Sequence, residues 1–438
     1  MGMRLMRSKR WLMVLLAGFL MLVLGIWLNR ERVECAVIAC KIYQAHALTP
    51  PPPSPGESRL HRLWGDVQLY WDLADVRLER EKRVKELNPE LKSLLREVNR
   101  RQAAGERMEY SMHLYREIRW RLNFTHDIAA TRARIEDLRQ SLTQPDLQKQ
   151  AIEQQASDGS WAMGINVWFL RLYYSVEQVK EGLHGRIPQY PLSFLDRVNS
   201  PEKLTAQLEA DLYNDFTKTG VFNREELDET FSAMARLLLE KENPPYAFHP
   251  QLKETLEDFV KHWQNPATGC WGQWLVDRQG RIWKMDDVGM TFHVVSDLHG
   301  QVEHLDLIAK RLLQLDQLNF PAGIRMDGHY ENHLNWDSVK IFRIAWPGLD
   351  AATRELVRAE ISRMLDWCLA NSYQPDGSFK VSDLDETLVD ACTYGDYFLD
   401  ETGYYNPKNR FWTDQDFPQA DIIHEHVKAR LKVLGLHD

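Results

Sequence analysis

The sequence predicts an all-α fold: a single transmembrane anchor, a helical stalk, then an α/α toroid of five to six helical hairpins. Three observations predict it. A glycine–aromatic phrase recurs in register, the stretches between the glycines carry helical periodicity, and an uncharged run opens the chain. Gly220-Val221-Phe222 is followed by Leu227-Asp228-Glu229-Thr230, and Gly377-Ser378-Phe379 by Leu384-Asp385-Glu386-Thr387 at the identical offset. Gly328-His329-Tyr330 with Asn335-Trp336-Asp337-Ser338 is an eroded third copy. Asp158-Gly159-Ser160-Trp161 and Thr268-Gly269-Cys270-Trp271 complete a ladder of five glycines, spaced 61, 49, 59 and 49 residues apart. The repeating unit is therefore a pair. Self-similarity at a fixed period marks a repeat architecture, in which one supersecondary element cannot bury its apolar face alone.

The N-terminus reads as an uncleaved signal anchor over residues 1–28. Arg4, Arg7, Lys9 and Arg10 precede an uncharged run from Trp11 to Leu28, just long enough to cross a bilayer. Basic residues stay cytoplasmic, so the bulk of the chain is expected outside the cytoplasm, in the periplasm if the cell is bacterial. Residues 29–58 read as a linker, closed by the stiff proline run Leu48-Thr49-Pro50-Pro51-Pro52-Pro53-Ser54-Pro55. Cys35 and Cys40 could bridge, but an odd total of five cysteines leaves at least one thiol free and does not make a disulfide scaffold.

Residues 59–150 read as a helical hairpin or small bundle. Leu69, Leu73, Val76 and Arg80 share one stripe, Leu91, Leu94, Leu95 and Val98 another, and Ile128, Ile135, Leu138 and Leu142 a third. Breaks are expected at Asn88-Pro89, Gly105 and Pro145. The dense Arg/Lys/Glu mixture reads as a solvated face. From 151 to 438 strand signals are scarce. Amphipathic pairs replace them: Glu229 to Leu239 with Pro250 to Trp263, and Trp336 to Trp346 with Ala351 to Leu369. Each unit is helix, turn, helix and a Gly–aromatic corner whose ring can wedge between hairpins. A sixth hairpin could come from the N-terminal helices.

Composition narrows the function classes. Residues 1–58 carry seven basic and three acidic side chains, so the rest of a chain with net charge −9 stands at −13. That sign repels phosphate backbones and excludes a nucleic-acid partner. The 15 tryptophans suit a hollow ligand-binding fold, whether they stack on sugars or line an isoprenoid cavity. The chain has no H-E-x-x-H, no phosphate-binding glycine loop and no G-x-S-x-G elbow, which disfavours metalloprotease, nucleotide-driven and serine-hydrolase chemistry.

The corners Gln155-Ala156-Ser157-Asp158-Gly159-Ser160-Trp161 and Gln374-Pro375-Asp376-Gly377-Ser378-Phe379 resemble the Q-x-x-D-G-S-W corners of squalene-cyclase and protein-prenyltransferase repeats. The resemblance covers roughly residues 150–410. It implies an α/α toroid whose inner helix follows each corner and starts at the cavity mouth. Glycosidases and polysaccharide lyases share that ring shape, so it does not choose a chemistry.

Such a ring gathers Asp228 and Glu229; Asp287, Thr291 and His293; Asn332, His333 and Asp337; and Asp383, Asp385, Glu386 and Asp390 around one opening. Capping is the expected role of Glu229 and Glu386, because their motif repeats in register. Asp383, Asp390, His293 and His333 break the repeat and are the sharper candidates. Asp383-Leu384-Asp385-Glu386-Thr387 resembles the D-x-D-D-T proton donor of class II terpene cyclases, in which crowded carboxylates keep one acid neutral. Leu388-Val389-Asp390-Ala391-Cys392 is similar to the L-V-D-x-C zinc-ligand stretch of prenyltransferase β subunits. Zinc on Asp390 and Cys392 would need His424 or His426 as third ligand; otherwise no cofactor is expected.

Three classes of function stay open. The first is an isoprenoid-type enzyme using Asp383, Asp385 and Glu386 on a lipid-linked substrate. The second is a glycan hydrolase pairing Asp337 with Asp385, or a lyase using His293 or His333 with Asn332 and Tyr394. The third is a non-catalytic envelope scaffold.

Overall fold

The computed structural model describes residues 47–53, 57–125, 127–144, 154–161, 164–179, 187–220, 224–239, 246–382 and 387–436, with 30, 32–34 and 37. The anchor segment 11–28 and Cys35 and Cys40 lie outside the described residues. Among the described residues no helix is long and apolar enough to cross a membrane.

The chain is mostly helical. Helix α1 (Arg59–Ala103) starts at Ser58, whose hydroxyl accepts from the His61 N–H, and runs 45 residues. The break expected at Asn88-Pro89 does not occur. Proline removes one ladder hydrogen bond and crowds the preceding turn, at about 3 kcal/mol. Leu87, Leu91 and Leu95 bracket Pro89 and bury against Leu114, Ile118 and Leu122 of α2 (Glu109–Phe124), which outweighs that penalty. The break at Gly105 is real, with φ of +81°. Helix α3 (Ile128–Ser141), capped by Asp127, completes this N-terminal unit.

The remaining helices alternate between an inner and an outer layer. The inner ones are α4 (Trp168–Glu177), α6 (Arg224–Leu239), α8 (Val288–Asp297), α10 (Asn332–Ala345) and α12 (Leu388–Glu401). Each packs on the next in that order. Outside them lie α5 (Pro201–Leu212) and α7 (Leu252–Trp263) against α6, α9 (Leu305–Gln314) and α11 (Ala351–Trp367) against α10, and α13 (Ala420–Val433) against α12. The circuit is closed by the N-terminal unit. Helix α12 packs on α1, Arg116 of α2 reaches Asp390 of α12, and His113 of α2 stacks on Tyr174 of α4.

Contacts between inner helices fix their directions. Phe292 meets Trp336 and Gly300 faces Ile344, while His333 meets Tyr394 and Trp336 meets Tyr397, so α8, α10 and α12 run parallel. Helix α2 pairs His113 with Tyr174 and Trp120 with Phe169, so it runs antiparallel to α4.

The corners share one hydrogen-bond scheme. The Gly159 N–H donates to the Ala156 carbonyl, and the Gly377 N–H to that of Gln374. Ser160 and Ser378 hydroxyls each donate to the preceding aspartate at 2.6 Å. The Gln155 side chain then donates to the Tyr190 carbonyl, and that of Gln264 to the Glu303 carbonyl, tying each corner to the following hairpin.

Strands are few but structural. Leu48–Thr49 (β1) pairs antiparallel with Ile282–Met285 (β4), which pairs antiparallel with Trp274–Val276 (β3); Tyr213–Asn214 (β2) joins β3 in parallel. Leu48 and Thr49, expected within a free-standing spacer, are thus an edge strand. Ala47 and Leu48 are buried, and Leu48 packs with Leu69, Val76, Phe216 and Trp283. Two residues carry too little periodicity to signal a strand; the open edge of β4 supplies their backbone partners.

Candidate functional site

The inner helices present a layered cluster of titratable groups. Arg224 of α6 binds Asp287 at the N-cap of α8, Nε to Oδ2 at 2.7 Å and Nη2 to Oδ1 at 3.0 Å. This fork sets the height of α6 against α8. One turn along, Asp228 and Glu229 face His293, and the next inner helix brings His333 and Asp337 within electrostatic reach of the same imidazole region. Asp297 adds a further carboxylate beside His293.

Burial controls their protonation. It pushes the Glu229 carboxyl up to about 8, with the neighbouring Asp228 charge adding to the effect. It pushes Asp337 up to about 7 against the opposing pull of His333 and His293. Asp228 and Asp297 are raised for the same reason. Burial works against the His293 imidazolium, yet Asp228, Asp297, Glu229 and Asp337 together raise its pKa. Like charges crowded in a dry site titrate as a set.

Three oxygens of this cluster have no hydrogen-bond partner among the described residues: Asp297 Oδ2, and Asp228 Oδ1 and Asp337 Oδ1 on side chains that are almost fully buried. Asn335, fully buried, leaves both side-chain polar atoms in the same condition. Native proteins seldom leave buried polar atoms orphaned, and such atoms are completed by water, an ion or a ligand or are held there under strain. Glu229, His293, His333, Tyr173 and Tyr394, all on inner helices, are half-buried.

Aromatic rings form the wall. His333 stacks on Tyr394 with centroids 3.6 Å apart, and Trp336 stands 5.6 Å from Tyr394, 5.2 Å from Tyr397 and 4.8 Å from Phe292. Tyr397 is half-exposed, so this wall runs from the buried carboxylates to solvent. On the N-terminal side Arg116 reaches Asp390 at 3.3 Å. Burial, with Arg116 nearby, holds His113 down at about 3, so that imidazole is neutral where it stacks on Tyr174.

Of the residues singled out from sequence, His293, His333 and Asp337 come together. Asp383, Asp385 and Glu386 lie outside the described residues. Asp390 is engaged: its N–H donates to the Thr387 hydroxyl, which donates back to Oδ2, while Oδ1 receives Arg116. Cys392 is fully buried in the hydrophobic core, and burial pushes its thiol up to about 11. Positions two apart on a helix face different ways, which separates Asp390 from Cys392. His426 instead meets the Tyr373 hydroxyl, and His424 stacks on Tyr405. Among the described residues no three His, Cys, Asp or Glu side chains gather as a metal site.

Asp287 and Thr291 are structural. Asp287 caps α8 and holds Arg224; Thr291 accepts from the Trp271 N–H and donates to the Asp287 carbonyl. The capping role expected for Glu229 fails because α6 already begins at Arg224, which puts Glu229 in its second turn. Asp297 and Arg116 were not legible: the first has no motif around it, and the second sits in what reads as a solvated charged face. Compared with known proteins, the chain matches no family model, no curated relative and no solved structure.

Proposed function

We propose that this chain is a membrane-anchored α/α toroid, closed by its N-terminal helices, that cleaves an extracytoplasmic glycan by general acid–base chemistry. The observation that carries the reading is the pair Asp228 and Asp337, two buried carboxyls within electrostatic reach of each other and of His293, each with an Oδ1 that has no hydrogen-bond partner among the described residues. Asp337, held protonated up to about pH 7, is the proton donor to the leaving oxygen. Asp228 takes the role of base or nucleophile: burial raises its carboxyl, and His293 and the Arg224 guanidinium, 3.4 Å from Oδ2, pull it back toward the ionised form. The stacked His333–Tyr394 pair and Trp336 offer flat faces for a sugar ring.

A glycan stands ahead of an isoprenoid because the aromatic wall adjoins a cluster of titratable groups. Carbocation chemistry wants an apolar lining, whereas Asp228, Glu229, His293, Asp337 and Arg116 suit a hydroxyl-rich substrate.

The test is turnover of cell-envelope and secreted polysaccharides by the purified full-length chain, read as new reducing ends and unsaturated sugars. Asp337→Asn and Asp228→Asn should each lower kcat about 100-fold or more, the usual contribution of a positioned acid or base. Inactivity on every glycan, with prenyl-diphosphate turnover abolished by Asp385→Asn, would replace this reading by the isoprenoid one. An intact cellular phenotype in alanine variants of His293, His333 and Asp337 would leave a scaffold.

A further inference from the structure

The first turns of α1 carry an apolar stripe that no described part of the chain covers. Leu60, Leu63, Trp64 and Val67 are exposed by 79%, 59%, 66% and 36%, and their i, i+3, i+4, i+7 spacing puts them on one face. Gly65, Leu69, Asp72 and Val76, on the opposite face, are buried toward the sheet. At 100° per residue the stripe continues to Trp71. There the N-terminal segment arrives: the Arg32 guanidinium lies 5.0 Å over the Trp71 ring and binds Asp75 at 2.5 Å.

That contact fixes where the membrane must be if residues 11–28 form the anchor. Leu28 is four residues from Arg32, so the end of the apolar run lies within about 14 Å of it even with the chain fully extended. Leu60 is 11 residues before Trp71 on the same helix, roughly 16 Å along its axis. An exposed Leu-Leu-Trp-Val stripe, flanked by Arg59 and Arg62, therefore stands within reach of a bilayer surface. Tryptophan at the water–lipid boundary and basic residues beside it are the composition of an interfacial helix.

We propose that the N-terminal end of α1 docks on the lipid surface through Leu60, Leu63, Trp64 and Val67, holding the ring at a fixed height and tilt. The proposal rests on the anchor reading, and the experiment separates the two. The full-length chain carrying Leu63→Cys, labelled with an environment-sensitive fluorophore, is reconstituted in phosphatidylcholine–phosphatidylglycerol vesicles with and without brominated lipid. The same label at Leu356→Cys, an exposed position on α11, is the reference. Docking predicts a blue-shifted label at 63 that loses most of its intensity to brominated lipid, while the label at 356 loses none. A Trp64→Glu, Val67→Glu background should abolish that quenching.

Alkaline carbonate extraction of the same vesicles reads the anchor alone. Protein that resists extraction but leaves residue 63 unquenched overturns the docking and spares the anchor. Protein released by carbonate overturns both. A blue shift that grows with protein density without lipid quenching assigns the stripe to a second copy of the chain and overturns the proposal.

Discussion

Asp337 is where a single proton has the largest consequence. A carboxyl whose folded pKa stands above its ordinary value takes up a proton on folding, so its contribution to stability is lost as pH rises through that interval. For Asp337 the interval runs from 3.8 to about 7. Asp337→Asn should therefore stabilise the fold by a margin that grows about 1.4 kcal/mol per pH unit across it and is flat above. Urea melts of both proteins at several pH values measure this; a margin independent of pH would refute the buried-acid assignment. On the proposed glycan-cleaving function the same protonation sets the rate. Turnover should fall as pH rises through about 7, and no such limb should remain in Asp337→Asn.

At the scale of elements, the corners decide how hairpins meet. Gly159, Gly328 and Gly377 have φ of +81°, +82° and +81°, so alanine strains each backbone by roughly 1–2 kcal/mol. Their surroundings differ. A Cβ on Gly377 would stand 2.1 Å from the His426 carbonyl oxygen, and one on Gly159 2.0 Å from that of Pro191, whereas Gly328 faces open space. Gly328→Ala should cost about 1 kcal/mol and Gly377→Ala about 3 kcal/mol or more in denaturant melts, because backbone cannot retreat as a side chain can. Equal costs would mean that these corners are not load paths between hairpins. The sequence exposed these glycines through their spacing. It misplaced Pro89, because a helix breaker is judged locally and the packing of Leu87, Leu91 and Leu95 that overrides it comes from a different helix.

For the whole molecule, the question is what closes the circuit. Arg116 and Asp390 are 39% and 19% exposed at 3.3 Å, and such a half-screened pair contributes about 1 kcal/mol or less. The apolar seam among Leu91, Leu114, Ile118, Phe169 and Tyr174 contributes far more. Ile118→Ala should cost about 2–5 kcal/mol and accelerate amide exchange in α2 and α4 together. Arg116→Ala should leave stability within about 1 kcal/mol of the parent. If Arg116→Ala opened the ring and Ile118→Ala did not, closure would be electrostatic and this account would fail.

The sequence by itself determined the helical class, the repeat and its corners, because glycine conformation and helical periodicity are properties of neighbours along the chain. It also marked His293 and His333 as residues that interrupt the repeat, and Asp337 as part of the eroded third copy. Only tertiary structure decided that Glu229 lies inside a helix rather than at its start, that Asp228 and Asp337 come within electrostatic reach of each other and of His293, and that Arg116 and His113 of α2 meet α12 and α4. Protonation follows from desolvation and from charges on other helices, such as His293 beside Asp228, 65 residues earlier in the chain, and no local pattern carries that information.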